Sequence, residues 1–504
     1  MNLKRREFIK ISGITAAGSL VIPPLLNSCK GVTLSDNAES YLDHFEVTRN
    51  LMQKVISAAM EKGADYADLY FQHTIDNTSA LEDGKVNSAY SNIGYGVGIR
   101  VLKGEQTGYA YSENISEEAM LKAARTAANI ADSSSTFATV NISEYLAPNY
   151  YSLKTSWEDT SINTKIPFIQ RMNDNIFNAD KRVTKVNVYL GDTSSYILFY
   201  NSEGLLAWDY RPLVDLSGIC IMEDKGKIEN FFIGRSYRIG SEFLTNELID
   251  ELSSEVVEKT SRLFPAGKPK SGEMEVVLGA GESGILLHEA MGHAFEADFN
   301  RKNLSIFSDK MGEKIAEDFV NIVDDGTIPV NRGTLNFDDE GNPTEKTILV
   351  NNGILTSYLH DRISSKYYKV DPTGNGRRES FRHIPMPRMR STYMENGPHT
   401  RGEIIASVKN GVYVDSFSNG EVHIGQGDFT FFVKFGYIIE NGKLTKPIKD
   451  INIIGNGPQA LADIVMAADD FAIDNGVWTC GKNGQGAPVS MGIPTVKIKK
   501  LTVG

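Results

Sequence analysis

The sequence predicts an α+β protein: an N-terminal α/β domain, then a strand-rich C-terminal domain with one distinctive helix at its start. Three observations carry this. Helix-period and strand-period stretches alternate as far as about residue 263. The run "FPAGKPKSG" (264–272) then breaks the pattern with proline, glycine and lysine, the composition of a domain boundary. Beyond it, after an opening helix, short strands and glycine turns dominate, as in "LVNNGILTSYLHD" and "YIIENGKL". Two domains also follow from length, because 504 residues exceed one ordinary core.

The elements follow in chain order. "MNLKRREFIK" sets Lys4, Arg5, Arg6 and Lys10 before an apolar run from Ile11 to Leu26. That order fits an export leader, and Arg5-Arg6 followed by Phe8 and Lys10 resembles a twin-arginine signal. The run ends in "LLNSC", where Leu26, Ser28 and Cys29 form a lipoprotein-type cleavage box. Residues 1–28 are therefore expected to be a leader, Cys29 the lipidated first residue, and 29–50 a linker. The protein would then sit on the cell envelope through the lipid on Cys29. A plain membrane anchor is the alternative, but Pro23-Pro24 and two glycines disfavour a membrane helix.

The N-terminal domain is placed at 51–265. A helix is expected over about 47–62, a strand in "ADYADLYFQHT" (64–74), and a hairpin in "GYGVGIRVLKGEQTGYAYSE" (94–113) turning at Lys103-Gly104. Helices follow near 117–131, 166–178 and 248–263, with period-two strands over 185–200 and on to 239. The C-terminal domain is placed at 272–504. A net charge of −12 argues against nucleic acid as a partner. With Cys29 lipidated, only Cys220 and Cys480 remain, so there is no disulfide framework.

The C-terminal domain opens with an apolar strand (Met274–Leu278) and "GAGESG", where Gly279, Gly281 and Gly284 spell G-x-G-x-x-G before a helix. This raises a dinucleotide-binding oxidoreductase as one reading, which requires a βαβ unit to follow. The text after the helix, "FNRKNLSIFSDKMGEK", is polar and basic, so a tight strand-to-helix turn is the simpler expectation.

The helix itself reads "GILLHEAMGH" (284–293), with His288 and His293 five residues apart and Glu289 behind the first. At about 100° per residue, a regular helix points such a pair about 140° apart. A π-type widening of one turn brings i and i+5 together, and Gly292 stands where that freedom is needed. The two histidines could then share a metal, with Glu289 beside it as a general base. A catalytic zinc takes three protein ligands. The third could be Glu296 or Asp298 in "HAFEADF", or Cys480 in "GVWTCGKNGQGAPVSMGIP".

"LLHEAMGHAFEADFNRK", "MPRMRSTYMENG" (386–397) and "TCGKNGQGAPVSMG" (479–492) together resemble the TldD/PmbA family of metallopeptidases, on the active, TldD side. "GYGVGIRVLKGEQTGYAYSE" and "NSEGLLAWDY" (201–210) resemble its N-terminal half, so the likeness runs from about Leu51 to the C-terminus. It implies that His288, His293 and Cys480 bind zinc and that Glu289 is catalytic. It also implies a flexible or unfolded peptide as substrate, and a homodimer or a heterodimer with a PmbA/TldE-type subunit. The export and lipidation signal is a departure from the cytoplasmic members. A non-catalytic metal- or peptide-binding lipoprotein is the remaining reading, and Arg388 and Tyr393 are candidates for oxyanion stabilisation. The leader makes a direct prediction: intact-mass measurement of membrane-extracted protein should find a chain that begins at lipidated Cys29. A chain that still begins at Met1 would contradict it.

Overall fold

The computed structural model describes residues 37–133, 137–423 and 426–504, so the leader and Cys29 lie outside the described residues. Two short helices open the fold, α1 (Ala38–His44) and α2 (Arg49–Met60), and Thr48 caps α2 by accepting from the Leu51 N–H. A seven-stranded sheet follows: β1 (Tyr66–Glu82), β2 (Lys85–Lys103), β3 (Gln106–Ser112), β4 (Ser143–Tyr145), β5 (Val183–Asn201), β6 (Leu205–Asp224) and β7 (Lys227–Tyr237). Three helices are interleaved with it: α3 (Glu117–Ala128), α4 (Ile162–Ala179) and α5 (Asn246–Ser261). Helix and strand are mixed as expected for this half, in a sheet that is antiparallel except at the three-residue β4.

The strands are longer than the alternation suggested. β1 runs on through "IDNTSALE" and turns at Asp83-Gly84, both at positive φ, as a two-residue hairpin requires. That stretch carries polar residues on both faces, so its periodicity is weak, and the Asp-Gly pair was the readable signal.

Alternation along the strands separates two faces. Leu69, Phe71, Val97, Ile99 and Leu198 pack under α1–α3, and Val186, Val188, Leu216 and Cys220 pack under α4 and α5. Tyr70, Ile197 and Phe199 point the other way and meet Phe337 and Phe381 of the C-terminal half. The same face buries charge. Arg100 bonds Asp68 through Nε (2.8 Å) and reaches Glu340 across the junction (2.5 Å). Arg211 bridges Asp209 (2.8 Å) and Asp339 (2.5 Å), and the Tyr70 hydroxyl donates to Asp339 (3.0 Å).

The C-terminal half holds two six-stranded sheets. β8 (Gly272–Leu278) lies in one, between the strands Asn410–His423 and Val496–Val503. The other is built around Ile322–Asp325, Ser391–Met394 and Ser490–Ile493. Three strands, 410–423, 428–440 and 443–456, are long rather than short, the last two joined by the Asn441-Gly442 turn. The helix after β8 is wedged into the core. Ile285, Leu286, Leu287, Met291 and Phe295 pack with Val276 and Val414 of the first sheet and with Ile322, Met394 and Met491 of the second.

Arg100, Asp68 and Glu340 are fully buried, so removing the guanidinium takes the ion-pair partner from Glu340 and leaves Asp68 only the more distant Arg378 (3.6 Å). Breaking a buried ion network from one side costs about 3–5 kcal/mol. Arg100→Ala should lower the unfolding free energy by about that much in a urea titration, and an unchanged midpoint would contradict the role given to this junction.

Candidate metal centre

The chain between β8 and the histidines is not one regular helix. A 3-10 turn at Glu282–Gly284 leads into Ile285–Leu287, then a π turn at His288–Gly292, then a second 3-10 turn at His293–Phe295. The widened turn falls between the two histidines, where their spacing demands it. Its effect is to bring the rings within 5.2 Å of one another. Gly292 is needed for a different reason than expected. Its backbone is ordinary right-handed helix, φ −57 and ψ −49, but a Cβ there would lie 2.1 Å from Met389 Sδ. The glycine admits a neighbour; it does not permit a strained dihedral.

The glycines of "GAGESG" also serve close packing. Gly281 has φ +81, and a Cβ on Gly284 would lie 2.6 Å from the Gly492 backbone nitrogen. The next strand, Ile322–Asp325, belongs to the other sheet, and the parallel neighbour of β8 is the strand at 411–414. No βαβ unit follows, and the dinucleotide reading loses its structural support.

Cys480 arrives from the far end of the chain on a rigid carrier. It lies in a β-hairpin, Thr479–Lys482 with Gln485–Pro488, closed by Asn483-Gly484 at positive φ. The Arg388 guanidinium, fully buried, donates to the Cys480 carbonyl (2.5 Å) and ties this strand to residues 386–394. Tyr393 is engaged elsewhere, donating to Asp325 (3.2 Å).

The result is a compact donor set. One ligand atom each from His288, His293 and Cys480 lies within 4.8 Å of the others, and all three residues are buried. Cys480 Sγ is 3.5 Å from His293 Nε2. Burial alone would push the thiol up, but His288 and His293 overcome it and hold Cys480 well below the usual thiol range. Burial would likewise lower His293, and the Glu296 carboxylate and Cys480 raise it well above its ordinary value. Cys220, the other free cysteine, is buried under α5 with its thiol pushed up to about 11, chiefly by burial, and the two cysteines do not pair.

Glu296 and Asp298, the other candidates for third ligand, lie outside this cluster. Glu296 Oε2 takes the Nδ1 side of His293 (3.0 Å), which leaves Nε2 facing Cys480. Lys482, two residues after Cys480 and so on the same face of its strand, reaches Glu296 (3.0 Å) and Asp298 (2.7 Å). Burial opposes the charge on Glu296, yet Lys482 and then His293 hold its carboxyl down at about 2. Sequence reasoning missed Lys482, although its period-two spacing from Cys480 was visible. Glu289 is half-buried and lies beside His288, whose imidazolium form it favours.

Comparison with known proteins finds relatives along nearly the whole chain. Residues 67–131 match the PmbA/TldA metallopeptidase domain 1, residues 155–264 the central domain, and residues 271–504 the C-terminal domain of that family. A metalloprotease TldD homolog of Haemophilus influenzae is 38% identical over 485 residues, covering 94% of this chain and 99% of its own. A zinc metalloprotease TldD homolog of Saccharolobus solfataricus is 30% identical over 471 residues, covering 90% and 99%. The solved structure of TldE from Thermococcus kodakarensis shares the fold, with a TM-score of 0.69 at 19% identity over 90% of this chain and all of its own. The three matched segments and the 38% identity along almost the full length place this chain in the PmbA/TldD metallopeptidase family.

Proposed function

We propose that the chain is a zinc-dependent peptidase of the active, TldD type, acting on flexible or unfolded peptides. The observation that carries this reading is the convergence of His288, His293 and Cys480 within 4.8 Å, with Glu289 next to the first of them. The donor chemistry fits zinc. Two imidazoles and a thiolate suit it, three protein donors leave one position open, and His293 has its second nitrogen fixed by a carboxylate. Zinc held there would supply Lewis acidity toward a peptide carbonyl and an attacking water.

The remaining work falls to the chain. Glu289 accepts the proton of the attacking water at its carboxylate and returns it to the leaving amine, the role of a general base and then acid. Glu296 keeps the His293 ring in one orientation and one tautomer, while Lys482 keeps Glu296 charged. Arg388 fixes the backbone of Cys480, so the thiolate approaches from one direction. Association with a second copy or with a PmbA/TldE-type subunit belongs to the same proposal, as does anchorage to the envelope by lipid on Cys29. The family membership and the resemblance of 386–397 and 479–492 to its active members support the first, and "LLNSC" supports the second.

Variants separate the roles. Cys480→Ser should leave purified protein with far less than one zinc per chain. Glu296→Gln should still bind stoichiometric zinc, with affinity lowered by about 10–100-fold. Full zinc in Cys480→Ser, together with loss in Glu296→Gln, would reverse the assignment. Glu289→Gln removes a base and no ligand, so it should keep zinc and fold while peptidase activity drops by about 10²–10⁴-fold. An active Glu289→Gln protein would place the catalyst elsewhere.

A further inference from the structure

A recess of ≈ 310 Å³ lies at the junction of the two halves, between β7 with the end of α5 on one side and the metal-bearing segments on the other. Phe232 and Gly234 of β7 line the first wall, and Phe417, Val477 and Trp478 line the second. Two segments tie it to the metal centre. Trp478 precedes Cys480 by two residues, and Glu282, also on the wall, opens the turn six residues before His288. Two extended residues span about 7 Å, and six helical residues rise about 9 Å. An extended peptide covers the same distance in two or three residues.

The charged groups of the recess answer one another. Arg235, Lys259 and Lys434 line it together with Glu282 and Asp474. Burial raises both carboxyls, Lys259 opposes the rise at both, and Arg235 opposes it at Asp474. Each carboxyl also accepts a backbone hydrogen bond, Glu282 from the Phe417 N–H (2.9 Å) and Asp474 from the Gly476 N–H (3.0 Å). What the recess offers a ligand is therefore its apolar surface. Phe232 is 50% exposed, a large aromatic area left open to water beside Trp478 and Phe417. Gly234 keeps the space clear, because a Cβ there would lie 2.7 Å from Val477 Cγ2 and 3.3 Å from the Phe232 ring. Covering such a surface with an apolar side chain is favourable and needs no partner charge.

We infer that this recess is a specificity pocket that takes one large apolar, preferably aromatic, side chain of the peptide substrate, two or three residues from the bond that is cut. Phe232 forms one wall and Trp478 with Phe417 the other, while the backbone of the peptide continues along Trp478 toward Cys480. A volume near 310 Å³ lies at the lower end of ordinary ligand pockets and suits a single side chain better than a whole small molecule. The inference rests on the peptidase reading for the identity of its ligand, and the binding arm of its test is independent of turnover.

Trp478 makes binding observable. Of three tryptophans, Trp157 and Trp208 are buried in the N-terminal half, and Trp478 lines the recess. The probes are blocked glycine-serine octapeptides in which a single phenylalanine is walked through the sequence. On rapid mixing with the full chain, before turnover, the phenylalanine peptides should give a saturable change in tryptophan fluorescence. The glycine-serine parent should give none, and Trp478→Phe should remove the signal. In cleavage, phenylalanine at one position should raise kcat/KM over the parent at least about tenfold, mainly through KM. Product masses should place that position two or three residues from the cut bond. Lysine or aspartate there should bring no such gain. In Phe232→Ala the ratio of kcat/KM for the phenylalanine peptide to that for the parent should fall to within about threefold of unity, a ratio unaffected by the fraction of active protein. Binding without cleavage would sink the peptidase reading and leave the pocket standing. Equal binding of parent and phenylalanine peptides would overturn the inference, as would a signal kept in Trp478→Phe, a preference confined to the residues flanking the cut, or an unchanged ratio in folded Phe232→Ala. The comparison of peptides on the unaltered chain stays decisive if a variant does not fold.

Discussion

The widened turn between His288 and His293 is the constraint on which the site depends. A π turn has poorer hydrogen-bond geometry than the α-helix and persists only where its surroundings enforce it. Here they do. Leu287 and Met291 are buried between two sheets, and Met389 fills the space that any side chain at position 292 would need. Removing one residue to restore the four-residue spacing would take a buried side chain, Met291, out of that core and rotate His293 by about 100° away from Cys480. The unusual spacing and the packing therefore specify each other.

The second requirement is electrostatic. Three buried donors that must lose their protons to hold a cation need a field that tolerates the change. The Cys480 thiolate is stabilised by His288 and His293 in their protonated form, and the His293 imidazolium by Glu296, whose own charge rests on Lys482, so a cation bound among them takes the place of protons that this field favours. Cys480 and Lys482 share one strand, which therefore delivers both a proposed ligand and the cation that pairs with Glu296 beside His293. That strand is fixed in turn by Arg388 and by Arg332, whose Nε donates to the Trp478 carbonyl (2.8 Å). Arg332 also pairs with Asp215 of β6, which links the site to the N-terminal sheet. The buried Arg100 and Arg211 networks at the same junction hold the two halves in register.

How much of this could be read in advance varied with sequence distance. His288, Glu289 and His293 lie within one helix, and rotation per residue was enough to require a widened turn. Cys480 is 187 positions beyond His293, and no periodicity spans that gap; residue type made it one of three candidates, and the family likeness singled it out. The amphipathic helices α2, α3, α4 and α5 came out within a few residues, because their apolar spacing is explicit, whereas α1 (Ala38–His44) lies in the stretch read as a linker and packs into the core through Tyr41 and Leu42. The start of β2 was missed because residues 85–94 are mostly exposed, which erases the alternation that marks a half-buried strand, and the end of β1 because "IDNTSALE" is polar on both faces. Gly292 was right for the wrong reason: its value lies in Met389, a neighbour across the core that local reasoning cannot supply. Lys482 and Arg388 act only through tertiary contacts, and the charged residues of the domain junction gain meaning only once both halves are in place.

The most direct test of the account is X-ray absorption spectroscopy at the zinc edge of protein purified with its native metal. The account predicts one sulfur scatterer and at least two imidazole-type nitrogen scatterers, with the sulfur lost in Cys480→Ser. A first shell of nitrogen and oxygen alone in the unaltered protein would contradict it.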